Sequence, residues 1–406
     1  MKKRNIPFSP PSITESEINE VCDALRSGWI TTGPRTKELE KRIAEYCGTD
    51  KAVCLNSATA SLELNLRVLG IGAGDEVIVP AYTYTATASP VAHVGATIVM
   101  ADCKKGCPQI DMEKLADLIT EKTKAIILVD IAGVIEDYES AFRIAEEKKA
   151  LFTPSNDIQK ALGRVAVLAD CAHSLGAVQN GNKAGSIADF SSFSFHAVKN
   201  LTTAEGGAAT WRTIEGVDND ELYSQYQLFS LHGQSKDALA KTKLGSWEYD
   251  VVGAWYKCNM TDIAAAMGLS QLNRYENILA RRHEIIEKYN ACCDRLGVDY
   301  IRHSAENHKS SGHLYLVNIP GISTTQRDEI IEKMADEGIA CNVHYKPLPM
   351  MTAYRNMGFD ISVYPCAYDY FSREISLPLH NNLSDEDIEY VICCFEEIVR
   401  KYIKED

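Results

Sequence analysis

The hydrophobic positions of this chain repeat first with a helical period and then with the period of strands. The segment TESEINEVCDALRSG begins with a Thr14–Glu17 capping box, which predicts the start of a helix. The apolar residues of this helix fall on one face: Ile18, Val21, Cys22 and Leu25. The turn-rich segment WITTGP follows, and TKELEKRIAEYCG predicts a second amphipathic helix.

Short apolar runs then alternate with helical stretches. The runs that we interpret as strands are KAVCLN, DEVIVP, ATIVMAD, KAIILVD, VAVLADC and DFSSFSF. Strands that alternate with helices in this way predict βαβ units and a mostly parallel sheet flanked by helices on both faces. A polar insert, EEKKALFTPSNDIQKALGR at residues 146–164, precedes the VAVLADC strand.

The alternation fades near Trp247, so we expect a large α/β domain at residues 1–246 and a smaller α+β domain at 247–406. TDIAAAMGLSQLNRYENILARRHEIIEKYNACCDRL predicts a long helical connection between them. In the smaller domain, HLYLVNI is typical of a strand, while TQRDEIIEKMADEG and DEDIEYVICCFEEIVRKYI are typical of helices.

Composition and charge narrow the function classes. With 45% hydrophobic and 24% charged residues, the 406-residue chain is an ordinary globular protein, and its net charge of −14 argues against a nucleic-acid partner. No run of about 18 apolar residues and no signal peptide is present, so we expect a cytoplasmic protein without a membrane span. The 13 cysteines indicate no disulfide framework, and the lone pair Cys103 and Cys107 predicts no metal site.

The segment DFSSFSFHAVKNLTTAEGG contains the most informative residue, Lys199. It follows an apolar strand in which Ser194 and His196 flank aromatic residues, a pattern that directs the lysine into a crevice. Partial burial lowers the pKa of a lysine and makes the neutral amine available for a Schiff base. The alternative is a solvated surface charge.

Three other segments offer matching chemistry, each with a plainer alternative. LNSATASLELNLRVLG places small residues at a strand-to-helix turn, which suits a phosphate group, or it is an ordinary turn capped by Ser57 or Thr59. Asp170 ends a buried strand and either pairs with a protonated ring nitrogen or caps the next helix. Tyr84 either stacks on a flat cofactor ring or belongs to the core or an interface.

Taken together, the phosphate turn, carboxylate, aromatic residue and reactive lysine are what pyridoxal 5′-phosphate requires. The glycine-rich GIGAGDE follows a helix rather than a strand, so a dinucleotide fingerprint is not expected. A nicotinamide-dependent sugar reductase is therefore disfavoured.

Over nearly its whole length the chain resembles the DegT/StrS-type nucleotide-sugar aminotransferases, which are fold-type I pyridoxal phosphate enzymes. The matching blocks are GWITTGPRTKELE, NSATASLELNLRVLGIGAGDEVIVPAYTYTATA, DCAHSLGA, FSFHAVKNLTTAEGG, NMTDIAAAMGLSQL, HYKPL and SLPLH. The resemblance implies that Lys199 forms the Schiff base and that Asp170 pairs with the pyridine nitrogen. It also implies that Tyr84 stacks on the ring and that His173 approaches the phenolic oxygen.

The resemblance implies further roles. The residues expected around the cofactor phosphate are Ser57, Ala58, Thr59 and Ser194. Lys257 corresponds to a residue that reaches the phosphate of the neighbouring subunit, which implies a homodimer with composite active sites. The residues expected to face the nucleotide sugar are Phe8, Thr31, Thr32, Gly33 and Tyr345.

The expected reaction is transamination from L-glutamate to C4 of a UDP-4-keto sugar, in the biosynthesis of amino sugars or cell-surface polysaccharides. Lys199 disfavours the branch of the family in which histidine replaces the lysine. The alternative is a regulatory relative that binds pyridoxal phosphate or a sugar nucleotide without turnover. Three departures from the family pattern are expected to affect the pocket mouth or the sugar site: the insert at 146–164, Pro349 and Trp255.

Overall fold

The computed structural model describes residues 3–235 and 248–403. Its helices are α1 (Glu15–Arg26), α2 (Pro34–Cys47), α3 (Ala58–Val68), α4 (Thr85–His93), α5 (Met112–Leu118), α6 (Tyr138–Glu147), α7 (Asp157–Leu162), α8 (Asn219–Ser230), α9 (Asp262–Asn273), α10 (Tyr275–Leu296), α11 (Thr324–Asp336), α12 (Thr352–Asn356), α13 (Pro365–Arg373) and α14 (Asp385–Val399). Its strands are β1 (Ala52–Leu55), β2 (Glu76–Pro80), β3 (Thr97–Ala101), β4 (Thr123–Val129), β5 (Ala166–Asp170), β6 (Val178–Gln179), β7 (Asn182–Lys183), β8 (Phe190–Ser194), β9 (Gly207–Trp211), β10 (Asp299–Tyr300), β11 (Ser304–Ala305), β12 (His308–Lys309), β13 (Tyr315–Asn318) and β14 (Glu374–Leu377).

A seven-stranded sheet in the order β1-β9-β8-β5-β4-β2-β3 forms the centre of the fold. Strands β3, β2, β4, β5 and β8 are parallel, as predicted, and β9 runs antiparallel between β8 and β1. Apolar clusters cover both faces of the sheet. The prediction of a mostly parallel sheet flanked by helices is therefore confirmed, and β9 is an addition to it.

Strand direction brings the ends of β1, β2, β5 and β8 to one edge of the sheet. Because β1 and β8 both run antiparallel to β9, they point the same way, and β8 is parallel to β5. The segments that follow these strands therefore meet at a common crevice, where parallel-sheet proteins bind their ligands. They include the four segments that the sequence marked for chemistry.

The first helix has the predicted capping box, with Glu17 accepting a hydrogen bond from the backbone N–H of Thr14 at 2.7 Å. Its apolar face packs into the chain only in part: Val21 and Cys22 are half-buried, but Ile18 is 48% exposed and Leu25 52% exposed. The buried side chains of α1 are instead Glu17 and Ala24. Glu17 forms an ion pair with Arg274 at 2.8 Å, which explains its burial.

The helical connection is not continuous, because the chain turns at Arg274, where φ is −117°. Helix α9 packs on α1 and α2, whereas the later turns of α10 contribute Ile285 and Tyr289 to a separate apolar cluster. That cluster also contains β13, β14 and α14. The segment is helical as predicted, but it forms two helices, and the two pack on different cores.

The C-terminal part contains a three-stranded sheet, β10-β13-β14. A further small sheet pairs β12 with β6 and so links this part to the segment after β5. The predicted domain boundary at 246/247 lies outside the described residues and stays a prediction. None of the described helices is both long and apolar enough to cross a membrane.

Candidate active site

A cavity of about 350 Å³ lies at the edge of the central sheet where β1, β2, β5 and β8 end. Its wall contains most of the residues that the sequence predicts for the site: Ser57, Ala58, Thr59, Tyr84, Asp170, His173, Ser194, Lys199 and Tyr345. Residues from five separate segments thus meet in one pocket.

The floor of the pocket is formed by the N-terminus of α3. Ser57 caps this helix, and its hydroxyl accepts the N–H of Ala60 at 3.1 Å. Strand β9 passes so close that a Cβ on Gly207 would lie 2.4 Å from the backbone carbon of Ser57 and 2.5 Å from the nitrogen of Ala58. The helix end therefore presents backbone N–H groups in a cradle that a side chain at Gly207 would close.

Asp170 is the last residue of β5 and is only 5% exposed. One carboxylate oxygen accepts the Thr87 hydroxyl at 2.8 Å, and the other accepts the N–H of Ala172 at 3.1 Å. Burial raises the pKa of Asp170, while these two donors and the charge of Lys199 oppose the shift. The carboxylate is thus held in a fixed orientation towards the pocket.

Lys199 follows β8 and lines the same cavity as Asp170. Burial lowers the pKa of its amine to about 8, although the charge of Asp170 acts in the other direction. A substantial neutral fraction near neutral pH is the form that attacks a carbonyl carbon. The neighbouring residue, Asn200, is tied to the C-terminal part of the chain through its side-chain bond to the backbone oxygen of Ser311 at 2.8 Å.

The hydrogen bonds of His173 define its protonation. Its Nδ1 accepts the backbone N–H of Ala132 at 3.2 Å, so the neutral ring carries its proton on Nε2. This nitrogen lies 3.1 Å from the hydroxyl oxygen of Tyr345. Burial, with Lys199 and His344 as further causes, holds the pKa of His173 well below its usual value. His173 is therefore a neutral hydrogen-bond donor facing the pocket.

Tyr84 precedes α4 and is 58% exposed, with its ring centre 5.8 Å from that of Tyr345. The ring is therefore not a core residue in the single chain, while stacking on a cofactor ring and packing at an interface both stay predictions. Phe8 does not line the cavity but lies just beyond Tyr345, because its ring stacks on that of His344 at 5.4 Å.

The other predicted residues lie away from the cavity wall. Lys257 is exposed and its amine contacts the side chain of Asn259, which in turn contacts Thr32. Thr31 and Gly33 belong to the same neighbourhood, beside the N-terminus of α2. In the single chain these residues do not join Lys199 in one pocket.

The insert at 146–164 is also remote from the cavity, so the expectation that it affects the pocket mouth was wrong. Asn156 and Gln159 donate to the backbone oxygens of Val68 and Leu69, at the end of α3 opposite to Ser57. Their polar side chains therefore bind the amino-end side of the sheet. Pro349 is buried in a turn and Trp255 packs on Phe229, and neither lines the cavity.

The sequence analysis missed Thr83 and Thr87. Their hydroxyls are 2.8 Å apart, and Thr87 continues the chain to Asp170. Both residues are 1% exposed. Thr83 precedes Tyr84, the N-cap of α4, and only Thr87 lies in the helix, so no helical spacing in the sequence marked the pair.

The pocket meets the chemical demands of pyridoxal phosphate. A helix N-terminus with a close glycine suits a phosphate group, and a buried carboxylate suits a protonated ring nitrogen. A lysine of lowered pKa lies in the same cavity. The fold and this pocket together define the class of fold-type I, pyridoxal phosphate-dependent enzymes.

Comparison with known proteins gives the family. The model of the DegT/DnrJ/EryC1/StrS aminotransferase family matches residues 11–396. Spr1654 of Streptococcus pneumoniae, assigned as a sugar aminotransferase and solved in PMP and PLP forms, superimposes in its PMP form with a TM-score of 0.96. It is 55% identical in sequence, and the match covers 98% of this chain and 100% of that one.

Two curated relatives extend over nearly the full length. The spore coat polysaccharide biosynthesis protein SpsC of Bacillus subtilis is 36% identical, over 98% of this chain and 99% of its own. The UDP-4-amino-4-deoxy-L-arabinose–oxoglutarate aminotransferase of Shewanella sediminis is 33% identical, over 98% and 99%. The chain belongs to the DegT/DnrJ/EryC1/StrS aminotransferase family and is a pyridoxal phosphate-dependent sugar aminotransferase.

Proposed function

We propose that the enzyme transfers the amino group of L-glutamate to C4 of a UDP-linked 4-keto sugar, with Lys199 as the reactive amine. The observation that carries the proposal is the presence of Lys199 and Asp170 in the wall of one cavity, with burial lowering the pKa of Lys199 to about 8. A neutral amine and a fixed carboxylate are the two groups that this chemistry needs from the protein.

When bound, pyridoxal phosphate supplies an electron sink for the electron pair that remains when a proton leaves the carbon bearing the amine. An ionised Asp170 would stabilise positive charge on the ring nitrogen. The N-terminus of α3, with Ser57, Ala58 and Thr59, and Ser194 would bind the phosphate. His173 would donate a hydrogen bond from Nε2 to the phenolic oxygen, and Tyr84 would pack against the ring.

Lys199 has two tasks in this proposal. It would hold the cofactor before the amino donor binds, and with glutamate in the site its free Nζ would remove the proton from Cα. In the second half-reaction the same nitrogen delivers a proton to the sugar carbon that receives the amine. General acid–base catalysis by one positioned group contributes roughly 10²–10⁴-fold.

The choice of donor and acceptor is supported by the Shewanella sediminis relative, whose name states a UDP-linked 4-amino sugar and oxoglutarate. The Bacillus subtilis relative supports a role in polysaccharide biosynthesis. Phe8, Thr31, Thr32, Gly33 and Tyr345 are proposed to contact the nucleotide sugar.

The test is the visible absorption spectrum of the enzyme loaded with pyridoxal phosphate. L-glutamate should bleach the visible band of the wild type, and a UDP-4-keto sugar should restore it. Lys199→Ala should lack both turnover and the lysine-dependent band while keeping its fold. Retained steady-state activity in Lys199→Ala, or a band that ignores L-glutamate, would refute the assignment.

We also propose that the active site is completed by a second copy of the chain. Lys257 is exposed and separated from the cavity wall, which suits a role across an interface. The apolar face of α1, with Ile18 and Leu25 about half exposed, offers surface that a partner would cover. In the resulting homodimer, Lys257 of each subunit binds the phosphate in the other subunit's site.

Subunit complementation tests this arrangement. Lys199→Ala and Lys257→Ala homodimers should each be impaired, but a mixed dimer contains one site with both lysines intact. Unfolding and refolding the two variants together should therefore restore activity. If the mixture stays as inactive as its components, although it contains mixed dimers, the site is not shared between subunits.

A further inference from the structure

A buried chain of polar groups leads away from the pocket. Glu374 and Ser376 both lie on β14, two residues apart and therefore on the same face of the strand, and both are fully buried. The Ser376 hydroxyl lies 2.6 Å from Oε1 of Glu374 and 2.8 Å from Nδ1 of His344. Carboxyl, hydroxyl and imidazole thus form one continuous line of hydrogen bonds.

His344 is held at both ends of its backbone. Its N–H donates to Oε2 of Glu374 at 2.8 Å, and its carbonyl oxygen accepts the Tyr82 hydroxyl at 2.7 Å. The ring packs edge-on against Tyr345 at 5.0 Å and stacks on Phe8. Nδ1 is engaged with Ser376 at 2.8 Å, and this is the hydrogen bond of the ring within residues 3–235 and 248–403.

The electrostatics favour a proton on the carboxyl end of the line. Burial raises the pKa of Glu374 to about 8, although Ser376, the N–H of His344 and the charge of Arg327 oppose the shift. Burial and the charge of Lys199 lower the pKa of His344 to about 4. The other titratable groups near these two residues are Tyr82, Cys341, Tyr345, Tyr370, His173 and His313.

We propose that Glu374, Ser376 and His344 form a proton relay that lets His344 give or take a proton at Nε2 while its ring stays neutral. Glu374 and Ser376 are positioning residues in this relay, since they act through His344. This proposal rests on the proposed function. Replacing the keto oxygen of the sugar by an amine releases water, and that oxygen must receive a proton before it leaves.

The proton balance is simple. In the loaded relay, Glu374 is a neutral carboxylic acid that donates to Ser376, Ser376 donates to Nδ1, and the imidazole carries its proton on Nε2. When the Nε2–H bond breaks towards an acceptor oxygen, Nδ1 takes the Ser376 proton and Ser376 takes the Glu374 proton. One proton leaves, and the negative charge remains on Glu374, where Ser376 and the N–H of His344 stabilise it.

The first test follows the tautomer of His344 and needs no substrate. In protein labelled with [15N]histidine, the signal that disappears in His344→Gln should switch from the Nε2–H to the Nδ1–H form as pH rises through about 8. Glu374→Gln keeps the shape but cannot ionise, and Ser376→Ala breaks the line, so both should abolish the switch. Glu136→Gln, which neutralises another fully buried carboxyl whose pKa is raised to about 8, is the matched control. A switch that persists in Glu374→Gln, or none in the wild type, overturns the proposal.

The second test measures the rate at which 2-oxoglutarate restores the visible band of enzyme previously bleached with L-glutamate. Glu374→Gln and Ser376→Ala should slow this step roughly tenfold or more and flatten its pH profile, while Glu136→Gln should not. Both variants should still form the lysine-dependent visible band, which separates loss of the relay from loss of the cofactor site. Unchanged rates in both variants would refute a role in proton delivery. If L-glutamate fails to bleach any of these proteins, the proposed donor is wrong, and the tautomer measurement still decides on the relay.

Discussion

Thr87→Val tests whether the orientation and charge of Asp170 depend on the threonines of α4. Valine has nearly the shape of threonine but lacks the hydroxyl that donates to Asp170 at 2.8 Å. Thr83 lies 2.8 Å from the same hydroxyl, so the native line of hydrogen bonds runs from Thr83 through Thr87 to the carboxylate. After the substitution, Asp170 retains only the N–H of Ala172 among these donors.

The size of the effect follows from the burial of this pair. Asp170 is 5% exposed and Thr87 1% exposed, so water does not replace the missing donor freely. A hydrogen bond to a charged group contributes about 1.5–3 kcal/mol. If this energy is lost from the state in which Asp170 stabilises a protonated ring nitrogen, the glutamate half-reaction should slow roughly ten- to a hundredfold.

The assay is stopped-flow bleaching of the visible band by L-glutamate, together with a titration of the apoprotein with pyridoxal phosphate. Thr210→Val is the matched control, because Thr210 is a fully buried threonine of the same sheet whose hydroxyl donates to the backbone oxygen of Gly185 at 2.9 Å. It should lower stability without changing the bleaching rate. A wild-type rate in folded Thr87→Val, or equal slowing in both variants, would refute the proposed support of Asp170.

Three further predictions concern the cofactor cradle, the lysine and the start of α2. Gly207→Ala should weaken pyridoxal phosphate binding, since the added Cβ would lie 2.4 Å from the backbone of Ser57. In the control Gly72→Ala the added Cβ would lie 3.5 Å from its nearest neighbour, and this variant should bind the cofactor normally in the same titration. When pyridoxal phosphate is added to the apoprotein, the rate at which the visible band forms should rise roughly tenfold per pH unit up to about pH 8 and then level off, because the Lys199 amine becomes neutral there. A rate that does not change below pH 8 contradicts this. Asp262→Ala should lower the free energy of unfolding, measured by urea titration, by about 1–3 kcal/mol, because the buried Asp262 carboxylate accepts the N–H groups of Arg35 and Thr36. An unchanged free energy of unfolding would show that water takes the place of the carboxylate.

The residues predicted to bind the cofactor could be found in the sequence because each lies next to a local pattern, an apolar run that forms a strand. Ser57, Asp170 and Lys199 each follow an apolar run that forms a strand, and the ends of parallel strands meet at one edge of a sheet. Their convergence therefore required no knowledge of long-range packing. The roles of these residues towards the cofactor stay predictions.

Other features depend on contacts that a local pattern does not contain. Strand β9, with the sequence GAATW, has small residues where it passes α3, so it lacks the apolar run that marks the other strands. The spacing of apolar residues in α1 predicted the helix correctly. It did not predict that Glu17 would be buried in an ion pair with Arg274 while Ile18 and Leu25 face outward. The same Arg274 marks the turn between α9 and α10.

Contacts between distant segments of the chain explain why the substrate is harder to predict from the sequence than the reaction chemistry. The His313 ring packs against that of His173 at 4.3 Å with a tilt of 40°, and its Nδ1 bonds to the side chain of Asn200. The Tyr345 hydroxyl reaches Nε2 of His173. Both come from the C-terminal part of the chain, His313 from the segment just before β13 and Tyr345 from the segment between α11 and α12. Single polar residues on such loops show no periodic pattern in the sequence. Their function depends on which edge of the sheet they contact in the folded chain. The substrate side is therefore specified by packing between distant segments, and variants of His344, Ser376 and Glu374 are expected to change proton handling without removing the lysine or its carboxylate partner.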